Sequence, residues 1–227
     1  MRQLAFALPV PAPSLQNFVP GRNGELLHRL HRLLDGASTE RFVYLWGEPG
    51  CGKSHLLAAF SAALSQTGRQ VYVLPNDPGI GSGEEADYAD CIVVDDVQRL
   101  TTAGQALAFR LFNTVRERDG GFVAAGSAPP SRLNLREDLL TRLGWGLCYQ
   151  VQPLTDEEKA AALKSRARER GFDLPRDVVT YLLVRQRRDM SHLLAVLDGL
   201  DRYSLETKRP VTVPLARELL AAIGERS

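Results

Sequence analysis

Eight residues, Gly47-Glu48-Pro49-Gly50-Cys51-Gly52-Lys53-Ser54, constrain the fold of this chain more than any others. They fit the pattern G-x-x-x-x-G-K-[ST], a loop whose backbone N–H groups cradle phosphates. Ahead of them runs Phe42-Val43-Tyr44-Leu45-Trp46, an apolar, β-branched and aromatic stretch of buried-strand length. Behind them His55-Leu56-Leu57-Ala58-Ala59-Phe60-Ser61-Ala62-Ala63-Leu64 has helical spacing and high helix propensity. Strand, glycine loop and helix N-terminus together make an anion trap, because unpaired N–H groups and the helix dipole face the same point. Gly47, Pro49, Gly50, Cys51, Gly52, Lys53, Ser54 and His55 are therefore expected to line a nucleotide site. Lys53 would meet the β- and γ-phosphates of ADP or ATP, and Ser54 would hold Mg²⁺. The chain has only four lysines among its 28 basic residues, so one at the required position is a specific signal.

At 227 residues the chain has room for one α/β domain and a smaller appendage. Its net charge of +1 offers no global field for nucleic acid, so no direct sequence-specific DNA binding is expected. The three cysteines have no C-x-x-C spacing, which suits reduced thiols in a cytoplasm. Neither a signal sequence nor an apolar run near the ~20 residues of a membrane span is present.

The first eight residues place Leu4, Phe6 and Leu8 on one side of an extended chain, and Pro9-Val10-Pro11-Ala12-Pro13 then forms a semi-rigid spacer. On physics alone a docking peptide and an edge strand or frayed end fit this equally well. A helix is expected at about Asn23–Leu34, with a leucine stripe and His28 and His31 on its solvated face. Further strands are expected at Gln70–Leu74, Cys91–Asp96, Gly121–Gly126 and Leu147–Gln152, with helices at Gln105–Arg118 and Asp138–Leu143. Strand–helix alternation implies an α/β layered fold with a five-stranded parallel sheet over residues 14–152. Cys91-Ile92-Val93-Val94-Asp95-Asp96 delivers two acids to the end of a buried strand, where ligands of open α/β sheets bind. Asp95 would hold Mg²⁺ through water and Asp96 would orient the attacking water, while Ser127, after the next strand, would contact the γ-phosphate or that water.

From residue 153 the character changes. Thr155-Asp156-Glu157-Glu158 opens a helix with a capping box, Gly171 ends it, and helices at Pro175–Arg187, Asp189–Glu206 and Pro214–Ile223 follow. Residues 153–227 thus read as a small all-helical domain. Basic residues at 164, 166, 168 and 170 are diluted by acids at 157, 158 and 169, which suits a solvated face.

A phosphate-loop domain followed by a helical lid resembles the AAA+ ATPases, and the DnaA group in particular. Asn17-Phe18-Val19-Pro20-Gly21 is similar to the segment that packs on adenine there, which adds Val19 and Pro20 to the nucleotide site. Asp95-Asp96-Val97-Gln98 resembles the group's second acidic motif, and Arg142-Leu143-Gly144-Trp145-Gly146 its arginine-finger box. The Gln3–Leu8 peptide is similar to sliding-clamp-binding motifs, with Gln3, Leu4, Phe6 and Leu8 as its contacts, so residues 1–13 read as a clamp peptide and spacer. DnaA carries a longer N-terminal domain and a helix-turn-helix after the lid, and neither is expected here.

The resemblance implies a regulator that sits on the DNA polymerase III sliding clamp (its beta subunit) and promotes hydrolysis of ATP bound to DnaA, switching replication initiation off. Arg142 would project into the partner's site as an arginine finger. The position where lids of this family aim an arginine at the nucleotide falls on Ser191, with Arg187 and Arg188 just upstream. With Asp96 in place of the usual Glu, this implies a weak intrinsic ATPase. A self-standing ATPase related to DnaA or to helicase loaders is the alternative, and a homo-oligomer is compatible with either.

Overall fold

The computed structural model describes residues 11–36, 38–77, 85–186 and 189–224. Gln3, Leu4, Phe6 and Leu8 lie outside the described residues, as do Arg187 and Arg188. The chain divides into two compact units, Pro13–Pro153 and the stretch from Leu154 onward.

The first unit holds strands β1 (Phe42–Trp46), β2 (Val71–Leu74), β3 (Cys91–Val94), β4 (Gly121–Gly126) and β5 (Leu147–Gln150), with helices α1 (Gly24–Leu34), α2 (Lys53–Gln66), α3 (Thr102–Glu117) and α4 (Glu137–Leu143). The strands form one sheet in the order β2-β3-β4-β1-β5, every pairing parallel. Parallel strands covered on both faces need side chains that are apolar in both directions, and β3 and β4 are buried along their full length. Alternate residues separate cleanly. Val43, Leu45, Val93, Val123 and Ala125 face α1 and α2 through Leu30, Leu56 and Phe60. Tyr44, Ile92, Val94, Phe122 and Ala124 face α3 and α4 through Leu111, Phe112, Val115, Leu139 and Leu143. Leu30, Leu56 and Phe60 are 0% exposed, each such burial contributing ~1.5–3 kcal/mol. This order sets β4 between β3 and β1, so the acids, the phosphate loop and Ser127 leave neighbouring strands at the same edge.

Several boundaries differ from the sequence reading, among them the end of β3, which stops at Val94 and leaves Asp95 and Asp96 beyond it, and two more have a visible cause. Helix α3 begins at Thr102 rather than Gln105, because Thr101 Oγ1 accepts the Gly104 N–H and caps it. Strand β5 stops at Gln150, and the Gln152 N–H instead donates to Asn23 Oδ1. Burial pushes the Cys91 thiol on β3 up to about 12, so this sulfur stays a neutral core group.

The second unit contains α5 (Asp156–Glu169), α6 (Arg176–Arg185), α7 (Met190–Thr207) and α8 (Val213–Gly224). The capping box at the start of α5 is present, with Thr155 Oγ1 accepting the Glu158 N–H and Glu158 accepting the Thr155 N–H. Leu163, Val178, Leu182, Leu193, Val196, Leu197, Leu200 and Leu219 form its core. The basic row of α5 is not wholly a solvated face. Arg166 and Arg170 reach Asp198 on α7, and Arg170 also holds Asp201 at 3.1 Å. Among the described residues no helix is long and apolar enough to cross a membrane.

Candidate functional site

The phosphate loop leaves β1 through Gly47, where a Cβ would come within 2.7 Å of the Val151 carbonyl. It enters α2 through Gly52, whose φ of +105° disfavours any L side chain and whose Cβ position lies 2.8 Å from the Phe18 ring. Lys53 is only 7% exposed, and its Nζ donates to the carbonyls of Gly47 (2.8 Å) and Glu48 (3.0 Å), with Cys51 Sγ at 3.8 Å. Among the described residues no carboxylate stands within ion-pair distance of it. A buried ammonium lacking a counter-charge, beside the acceptor-less N–H groups of a helix's first turn, fits an anion such as a phosphate chain. Ser54 is exposed at this helix start, available to a cation held between protein and phosphate. Mg²⁺ commonly takes one or two protein ligands, the rest being water and phosphate, so Ser54 and Asp95 are a fitting set.

The segment ahead of α1 folds over the loop. Phe18 packs tilted on His55 with ring centroids 5.7 Å apart, and a ring nitrogen of His55 lies 3.1 Å from the Ser14 carbonyl. Val19 is half-buried and Pro20 exposed, followed by a turn in which the Asn23 N–H donates to the Pro20 carbonyl. Asn23, 4% exposed, then clips this segment to the end of β5. Its Nδ2 donates to the Gln152 carbonyl at 2.9 Å, and its Oδ1 accepts the Gln152 N–H at 2.7 Å.

Past β3, Asp95 Oδ1 accepts the Asp96 N–H, and Asp96 takes a left-handed conformation at φ 48°. Asp and Asn tolerate this region better than other side chains, and the turn directs the Asp96 carboxylate to Gln98. The Gln98 amide joins two strands. Its Nε2 donates to Asp96 Oδ1 at 3.0 Å, and its Oε1 accepts the Ser127 N–H at 3.1 Å. The orientation of the amide is forced, since the carboxylate only accepts and the backbone N–H only donates. Ser127 is exposed. Behind it Tyr44 on β1 donates its hydroxyl to the Ala128 carbonyl at 2.7 Å, and burial raises the phenol so that it stays protonated.

Arg142, the last-turn arginine of α4, makes no pair with Asp138. Asp138 is taken by Arg136 at 2.7 Å, whose hydrogen bond holds that carboxyl below the usual range. The Arg142 guanidinium instead lies over Phe109, Phe112 and Trp145, at 5.7, 5.8 and 5.7 Å from their centroids. Its Nε is buried with no acceptor, a situation costing about 1–3 kcal/mol. Cation–aromatic contacts offset about 0.5–2 kcal/mol of such costs.

Residues 156–220 match the model of the Hda lid domain. Over 93% of its length the chain superposes on domain III of the Thermotoga maritima replication initiation protein DnaA, with TM-score 0.72, 20% identity and 96% of that chain covered. The lid is thus similar to that of Hda, and the fold is the one found in DnaA domain III. AMPPCP-bound DnaA from Aquifex aeolicus shares the fold at TM-score 0.70 and 21% identity, over 86% of this chain and 67% of that one. The Holliday-junction branch-migration motor RuvB of Thermotoga maritima does so at 0.66 and 18%, over 95% and 73%.

In this chain the loop residues Gly47–His55, the Phe18–Pro20 segment, Asp95, Asp96 and Ser127 all belong to the first unit. Within the lid, Ser191 sits in the first turn of α7, whose Asp189 cap accepts the His192 N–H. The sequence reading missed Gln98 and Asn23. Gln98 stood beside the expected acids and carried a signal, as the one long amide in that motif. Asn23 gave none, because its partner lies 129 residues away.

Proposed function

We propose that this protein is a negative regulator of DNA replication initiation, which promotes hydrolysis of DnaA-bound ATP while seated on the DNA-loaded sliding clamp. The observation that carries this reading is Arg142, stacked on three aromatic rings with a buried, acceptor-less Nε and no carboxylate partner among the described residues. A guanidinium so placed is kept for a charge from outside the chain. In the partner's site it would neutralise charge developing in phosphoryl transfer, an effect of about 10³–10⁵ in rate for arginine fingers. The match of the lid to that of Hda supports the same reading. The chain's own site takes ADP or ATP through Val19, Pro20 and the loop from Gly47 to His55, with Lys53 on the phosphates and Ser54 and Asp95 on Mg²⁺. Asp96 and Ser127 orient water and γ-phosphate in a weak intrinsic reaction. Gln3, Leu4, Phe6 and Leu8 bind the clamp, and the protein works in the cytoplasm.

The deciding experiment follows hydrolysis of ATP preloaded on DnaA, with clamp and DNA. Arg142→Ala should abolish stimulation, and Gln3→Ala with Leu4→Ala should abolish retention on clamp beads. Undiminished stimulation by Arg142→Ala overturns the reading. A self-standing ATPase is the second reading, favoured by the complete phosphate loop and both acids, and rapid ATP turnover by the isolated protein would establish it.

A further inference from the structure

Arg142 is not the only cation on its aromatic shelf. The Arg116 guanidinium, at the end of α3, stands 5.1 Å from the Trp145 centroid, and Arg142 stands 5.7 Å from the same ring. Trp145 is 55% exposed despite packing against Phe42 and Phe112. Among the described residues neither arginine has a carboxylate within ion-pair distance. Two like charges gathered on one indole repel each other, and the ring's weak attraction for each does not remove that repulsion. An anion carrying more than one charge, approaching from outside, does remove it. Resting on the function proposed above, we propose that Arg116 is a second phosphate-binding arginine. It is presented with Arg142 on the Trp145 shelf to the phosphate chain of the nucleotide held by the partner AAA+ domain.

The division of labour follows from how each arginine is held. Arg142 is fixed by three rings, with its Nε buried, and so has the defined position that transition-state charge requires. Arg116 is held by one ring and has more freedom, which suits ground-state attraction of a polyanion. Single-stranded DNA is the less favoured occupant. It needs a track of aromatic platforms along a basic groove, and Trp145 is one exposed ring on a chain of net charge +1.

The test measures DnaA-bound ATP hydrolysis, with clamp and DNA, against concentration of the full-length protein at several salt concentrations. Arg116→Gln should raise the half-saturating concentration about tenfold or more, as loss of one charge-assisted contact does. It should also flatten the salt dependence, while keeping the maximal rate and the melting temperature. Arg142→Ala should lose the maximal rate. Trp145→Ala should show both losses, and Trp145→Phe, which keeps an aromatic face, should restore most of the activity. Wild-type half-saturation and salt slope in Arg116→Gln overturn the inference, as does a loss confined to retention of single-stranded DNA. If Arg142→Ala abolishes stimulation while Arg116→Gln is normal, only this inference fails. If neither variant differs from wild type, the regulator reading fails as well.

Discussion

Asn23 holds two distant stretches of the chain together with one small side chain. At 4% exposure its amide makes two hydrogen bonds to one residue, and Asn23→Ala leaves both the N–H and the C=O of half-buried Gln152 without partners. An unsatisfied buried polar group costs about 1–3 kcal/mol, and two at partial burial come to about 2–4 kcal/mol. That is a large fraction of the roughly 5–15 kcal/mol by which domains are stable. With a urea slope of about 2 kcal/mol/M, the unfolding midpoint should fall by about 1–2 M. Both tryptophans, Trp46 and Trp145, belong to the unit that contains Asn23, so tryptophan fluorescence isolates that unit's transition. Asn23→Asp keeps the acceptor for the Gln152 N–H and loses the donor, so its midpoint should lie between the other two. An Asn23→Ala midpoint within about 0.3 M of wild type, at an unchanged slope, would refute the claim that this clip holds the segment down.

Gln98→Leu cuts the bridge between Asp96 and Ser127 without changing side-chain length much. ATP affinity should drop about tenfold, as for one lost hydrogen bond to a charged group, with ADP affinity little changed. Competition against a fluorescent nucleotide checks this, and equal losses for both ligands would count against it. The Arg136–Asp138 pair gives a pH prediction. The Asp138 carboxyl is depressed in the folded state, first by the hydrogen bond from Arg136, so the pair's contribution is complete above the unfolded value of about 4 and disappears as pH falls through the folded one. The stability difference between wild type and Arg136→Ala should therefore shrink to nothing in acid, as urea titrations across pH would show.

Local features were legible in the sequence and distant pairings were not. The phosphate loop and the Thr155–Glu158 box are each specified by residues a few positions apart, and each forms at the positions its pattern predicts, while the two acids fall just past the end of β3 rather than in it. The apolar spacing of Leu107, Leu111 and Val115 starts helix α3 at Gln105, and only the Gly104 contact identifies Thr101 as its cap. Arg142 was legible as a candidate, but its shelf joins Phe109 and Phe112 of α3 to Trp145 in the turn after α4, and no sequence spacing ties that ring to the other two. Arg166 and Arg170 read as solvent-facing for the same reason, since their partners stand on another helix, Asp201 being 31 residues from Arg170.

Strand β4 carries a consequence for how this site tolerates change. Gly126 leaves room for the Tyr44 hydroxyl, which a Cβ there would approach to 2.1 Å, and that hydroxyl in turn grips the Ala128 carbonyl. Ser127 is therefore mounted between two fixed points, with its backbone committed to Gln98 and its side chain outside the core. An insertion or deletion anywhere from Gly126 to Ala128 breaks the mount, whereas exchanging the Ser127 side chain leaves it intact. A mutational library of this edge should return many survivors at Ser127 and almost none at Gly126. The chemistry of the edge is open to selection while its geometry is not.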